Sequence, residues 1–146
     1  MPQPQKAADS PNPANAAQKR RILVIDDGAS VRDVIRIFLE HAGFEVCGEA
    51  GDGMEAIEQA RKLKPDLIVL DLAMPRMNGA EAATVLSQTM PNVPIVLLTL
   101  YQNVLGNALA SAVGVKAIVD KTDGMAKLVE CIRSLLDGPA EQSEPR

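Results

Sequence analysis

The chain has 146 residues, 47% hydrophobic and 23% charged, with a formal net charge of −4, which is the composition of one globular domain with a core of its own. No apolar run approaches the roughly 18 residues of a membrane span. Residues 1–18 lack the apolar stretch of a secretory signal, and the acidic balance argues against a general nucleic-acid surface. The two cysteines, Cys47 and Cys131, form no CxxC pair and fit a reducing, cytoplasmic setting.

Residues 1–18, with four prolines among Gln, Asn, Ser and Ala, read as a disordered tail, and Lys19-Arg20-Arg21 as a solvated lead-in. The first strand, Ile22-Leu23-Val24-Ile25, ends in Asp26-Asp27. A helix is expected from Ser30 as N-cap, with Val31, Val34, Ile35, Phe38 and Leu39 on one apolar face, His41 as a cation near its end and Gly43 as its stop. Residues 44–49 alternate loosely, as an edge strand does. A second helix follows Asp52, carries Ala56, Ile57, Ala60 and Leu63 on one side and ends before Pro65. Leu67-Ile68-Val69-Leu70 is the next strand and ends in Asp71.

A third helix follows Asn78-Gly79 and runs to about Thr89, ahead of Pro91 and Pro94. Ile95-Val96-Leu97-Leu98 ends in Thr99. Residues 104–113 predict a helix weakened by Gly106 and Asn107. Ala117-Ile118-Val119 precedes Asp120 and Lys121. The last helix has the clearest stripe, Leu128, Cys131, Ile132, Leu135 and Leu136, closed by Gly138-Pro139; Cys131 is a small core residue on it. The expected folded domain is 19–137, with a second tail at 138–146.

Short continuous apolar runs bounded by polar residues suit strands buried on both faces of a parallel sheet. Their alternation with helices predicts an α/β fold of five βα units, doubly wound, with right-handed crossovers and helices on both faces. The alternation leaves strand order open, although 2-1-3-4-5 is a common arrangement. Ligands of such sheets bind beyond the carboxyl ends of the strands, so Asp26, Asp27, Asp71, Thr99 and Lys121 are expected at one edge.

Three carboxylates at short range repel, and a hard divalent cation relieves that; Mg²⁺ takes one or two carboxylates plus waters and phosphate oxygens. A lone Asp at a strand end would read as a cap or loop residue. A consecutive pair joined by Asp71, a hydroxyl and an ammonium reads as a phosphoryl-transfer site, with a carboxylate as nucleophile forming an acyl phosphate. There is no Walker A loop, GxSxG elbow or HExxH motif. His41 has no catalytic partner in sequence.

This arrangement resembles the receiver domain of bacterial two-component response regulators, through Val24-Ile25-Asp26-Asp27, Leu70-Asp71-Leu72-Ala73-Met74-Pro75-Arg76-Met77-Asn78-Gly79, Leu98-Thr99 and Asp120-Lys121. The stretch from Asp71 to Gly79 is close to the family signature D-x-x-M-P-x-M-D/N-G. Glu49-Ala50-Gly51-Asp52-Gly53 and the last helix are most similar to receivers of the subfamily with helix-turn-helix output domains. The resemblance implies a flavodoxin-like sheet, Asp71 as phosphoacceptor, and Mg²⁺ held by Asp27, Asp71 and the backbone carbonyl of Ala73, with Asp26 acting mostly through water. It implies Thr99 as switch hydroxyl and Lys121 as the phosphoryl-holding cation. Implied partners are a sensor histidine kinase or histidine phosphotransfer protein, and a downstream protein docking on the face built from residues 104–113, the strand at 117–119 and the last helix. A phosphorylation-dependent homodimer is compatible with it.

Three positions depart from the family. Ile118 stands where an aromatic switch residue is usual, Thr122 where proline often follows the lysine, and Leu100, followed by Tyr101, where a small residue is common. The expected function is a stand-alone phospho-switch rather than an enzyme. The alternatives are an aspartyl-phosphate phosphatase, which needs a DxD that Asp71-Leu72-Ala73 lacks, and a pseudo-receiver that binds without phosphorylation.

Overall fold

A computed structural model describes residues 19–72, 79–99 and 115–137. Five parallel strands form one sheet: β1 (Arg21–Ile25), β2 (Glu45–Ala50), β3 (Leu67–Asp71), β4 (Ile95–Thr99) and β5 (Ala117–Asp120), in the order 2-1-3-4-5. Among the described residues the helices are α1 (Ala29–His41), α2 (Gly53–Leu63), α3 (Gly79–Thr89) and α4 (Met125–Leu136), with a 3-10 turn at Lys121–Asp123. The doubly wound architecture and the strand order are those expected. The helix expected at 104–113, the Ala73 carbonyl, Leu100, Tyr101 and both tails lie outside the described residues.

The apolar runs are continuous because each strand feeds two cores. Successive side chains point to opposite faces. Leu23, Ile25, Ile68, Leu70, Ile95 and Leu97 face one way and pack with Ala56 and Ala60 of α2 and Ala82, Ala83 and Leu86 of α3. Ile22, Val24, Leu67, Val69, Val96, Leu98 and Val119 face the other way and pack with Ile35 and Leu39 of α1 and Leu128 and Ile132 of α4. Cys131 packs against this second cluster, half-buried, and burial pushes its thiol pKa up.

β2 is one of the two edge strands. Its register against β1 slips between Ile22↔Val46 and Leu23↔Gly48, so Cys47 is the extra residue of a bulge. Gly48 lets α2 pack closely there, since a Cβ would lie 2.4 Å from Leu63 Cδ1 and force that side chain to shift.

Three local expectations need correction. Ser30 is not the N-cap of α1: the cap is Gly28, without a side-chain hydrogen bond, and the helix begins one residue earlier, at Ala29. The apolar face of α1 is narrower than its pattern. Ile35 and Leu39 are buried, but Val31, Val34 and Phe38 are 38%, 45% and 46% exposed, because the helix meets the sheet only along the 35–39 line. The Lys19-Arg20-Arg21 cluster is not a mere solvated lead-in. Arg21 donates to the carbonyls of Leu63 (2.7 Å) and Lys64 (3.3 Å) at the end of α2, and Arg20 to the carbonyl of Leu136 (3.1 Å) at the end of α4. Cations are favoured at helix C-termini, where carbonyls lack partners.

α2 follows its sequence closely. Asp52 caps it, its carboxylate accepting from the Glu55 N–H at 2.9 Å, and Lys64 closes it in the left-handed conformation before Pro65. α1 ends with Gly43 at φ 99°, as expected of a glycine stop. No helix of the described residues is long and apolar enough to cross a membrane.

Candidate functional site

The strand register builds the site. Ile25 of β1 lies beside Leu70 of β3 and Ala50 of β2, so Asp26 emerges next to Asp71. Asp71 is in register with Leu98 of β4, and Thr99 with Asp120 of β5, after which comes Lys121. Four strands, β1, β3, β4 and β5, ending at one level therefore bring these residues to one edge.

The result is an acidic cluster: one carboxylate oxygen each from Asp26, Asp27 and Asp71 lie within 4.8 Å of one another. Asp26 and Asp71 are buried, at 1% and 3% exposure, while Asp27 is exposed. Buried carboxylates require partners. The Lys121 ammonium supplies one, 3.2 Å from Asp26 Oδ2 and 3.2 Å from Asp71 Oδ1. Burial alone would lower the lysine pKa, but the Asp71 and Asp26 charges and their hydrogen bonds outweigh it and hold the pKa above the ordinary value. Thr99 is buried at the end of β4.

The donor set fits Mg²⁺. All three side chains offer hard oxygens, and ligand oxygens around an ion with bonds of about 2.0–2.1 Å stand at most about 4 Å apart. The 4.8 Å envelope is within a small side-chain adjustment of that. Three carboxylates against one ammonium leave the edge electronegative, which a divalent cation would neutralise.

Two features here are not apparent in the sequence. Asp26 is braced at every polar group: its N–H donates to Ala50 O at 3.0 Å, its Oδ1 accepts from Gly28 N–H at 2.9 Å, its Oδ2 faces Lys121, and its carbonyl accepts from Arg32 Nη1 at 2.6 Å. Beside Lys121, the Thr122 N–H and hydroxyl both donate to Asp120 Oδ1, at 2.8 and 2.6 Å. These bonds hold the Asp120 carboxyl below its ordinary pKa. An Asx turn of this kind is one that Asp-x-Thr could have signalled, and a proline in place of Thr122 would have neither donor.

His41 sits in the last turn of α1. Cys47 is half-buried with its thiol pKa raised by burial, and both cysteines are free.

The sequence profile of the response regulator receiver domain matches residues 22–133. The chemotaxis protein CheY of Thermotoga maritima is 32% identical over 116 residues, covering 80% of this chain and 97% of CheY. A protein-glutamate methylesterase/protein-glutamine glutaminase of Pyrococcus abyssi is 46% identical over 83 residues, 56% of this chain but only 22% of that protein. The transcriptional regulatory protein PdtaR of Mycobacterium tuberculosis is 43% identical over 88 residues, 60% of this chain and 42% of that protein. The chain thus spans less than half of these two longer relatives and nearly all of CheY. Among solved structures, a LuxR-family two-component response regulator from Aurantimonas sp. SI85-9A1 superposes with a TM-score of 0.78 at 32% identity, over 83% of this chain and 87% of that one. The response regulator domain of Thermotoga maritima CheB does so with 0.73 at 29%, over 80% and 96%. With the profile covering most of its length and the fold and acidic edge in place, the chain belongs to the response regulator receiver domain family of two-component systems.

Proposed function

We propose that the chain is a Mg²⁺-dependent phosphoacceptor that takes a phosphoryl group on Asp71 and passes the signal on by protein contact. The observation that carries this reading is the buried Asp71 carboxylate, 3.2 Å from the Lys121 ammonium inside a cluster of three aspartates. An Asp71 carboxylate oxygen attacks phosphorus, the bond from phosphorus to the donor atom breaks, and an acyl phosphate forms. Lys121, already between Asp26 and Asp71, is positioned to follow the new phosphoryl oxygens. Thr99, at the end of the neighbouring strand, is the hydroxyl that would donate to the phosphoryl group. Asp27, Asp71 and the Ala73 carbonyl would hold Mg²⁺, with Asp26 acting through water; bound there, the ion supplies charge neutralisation for the transferring group.

Donors of the fitting chemistry are a phosphohistidine on a sensor kinase or on a phosphotransfer protein. The downstream partner would dock on the face that carries β5 and α4, the face expected from the sequence to extend to residues 104–113, which lie outside the described residues. The independently folding unit is 19–137, flanked by tails, and its setting is the cytoplasm. A self-complementary contact induced by phosphorylation would give a homodimer.

The test is incubation with Mg²⁺ and acetyl phosphate, followed by intact-mass analysis. Wild type should gain one base-labile phosphoryl group. Asp71→Asn, nearly isosteric, should gain none while keeping its circular dichroism. Full labelling of the Asn variant would refute Asp71 as acceptor.

A further inference from the structure

Arg32 of α1 joins three elements through one guanidinium. Its Nη1 donates to the Asp26 carbonyl at 2.6 Å and its Nε to Glu49 Oε1 of β2 at 2.9 Å. Glu49 is held in turn by Arg36, one turn further along α1, which pairs with its other oxygen. The Arg32 and Glu49 side chains are only 20% and 21% exposed, so the pair is shielded from solvent screening more than a surface pair.

The carbonyl that Arg32 grips belongs to the same planar peptide unit as the Asp27 nitrogen. Holding its direction holds the peptide plane that leads into the Asp27 Cα, and so narrows the directions from which that exposed carboxylate can approach Asp71. Among the described residues no hydrogen bond or ion pair restrains Asp27 itself, whereas Asp26 has four contacts. We infer that Arg32, keyed by Glu49, is a positioning residue that presents Asp27 to the cation site, so that the edge strand β2 takes part in setting metal affinity. This rests on the metal-binding role given above to Asp27 and Asp71. A guanidinium suits the task because its rigid fork serves a carbonyl and a carboxylate together, which a lysine ammonium on a flexible stem does less well.

The test is Mg²⁺ titration by calorimetry on the full chain, with urea midpoints measured alongside. Arg32→Ala should weaken Mg²⁺ binding about 10-fold or more, the scale found for groups that orient metal ligands. Arg32→Lys, keeping one donor, should recover part of it, and Glu49→Gln should give an intermediate loss. In ¹⁵N spectra the Mg²⁺-induced shift of the Asp27 amide should shrink in the same order. Leu39→Ala, destabilised by a core cavity far from the edge, should bind Mg²⁺ as wild type does. Wild-type affinity in Arg32→Ala, or the same loss in Leu39→Ala as in Arg32→Ala, would overturn the inference. Failure of the wild type to bind Mg²⁺ would instead sink the metal site on which it rests.

Discussion

The Lys121 ammonium pairs directly with both buried carboxylates of the acidic edge, and much follows from its position between Asp26 and Asp71. Its pKa is raised on folding, so the stability it contributes is complete below the lysine pKa of the unfolded chain and is lost as pH rises through the folded value. Without Mg²⁺, Lys121→Met should therefore be less stable than wild type at neutral pH, and the gap should close toward strongly alkaline pH; urea midpoints across that range check it. Asp27→Ala should weaken Mg²⁺ binding and phosphoryl uptake together, because uptake at Asp71 depends on the cation that Asp27 would help to hold. The aspartates and Lys121 were legible in the sequence because each ends an apolar run, and a parallel sheet collects run ends. Arg32 was not, because a helix arginine takes partners, here the Asp26 carbonyl and Glu49, that only the folded register supplies; the Asp120–Thr122 pairing is local, and Asp-x-Thr could have signalled it.

At the scale of the element, α1 separates pattern from burial. Its periodicity placed Val31, Val34, Ile35, Phe38 and Leu39 on one face, yet only Ile35 and Leu39 are buried. Periodicity gives the direction of a helix face but not the width of the surface it meets, which depends on how the helix lies on the sheet. Leu39→Ala should accordingly cost about 2–5 kcal/mol, and Ile37→Ala, at 62% exposure, less than about 0.5 kcal/mol. Denaturant unfolding of both variants separates them. Asp52→Ala should remove the cap of α2 and cost about 1 kcal/mol.

Across the whole molecule the class of fold was readable from the alternation of strand and helix, which is the same for every doubly wound sheet; the order of strands came only with the receiver-like motifs. Mg²⁺ that binds the folded edge and not the unfolded chain should raise Tm, by an amount worth about 2.7 kcal/mol at a hundredfold excess over Kd. A thermal shift series with Mg²⁺, repeated on Asp27→Ala, reads this directly. The bond from Arg20 to the Leu136 carbonyl, with Asp137 3.4 Å away, has another implication. The described chain starts and finishes within one arginine side chain's reach, at the amino ends of the strands, with the whole sheet between that spot and the carboxyl edge. The topology is thus nearly a closed loop. A short linker joining 137 to 20, with new termini cut at the 64–66 turn, should yield a circular permutant that folds and still binds Mg²⁺, as calorimetry would reveal.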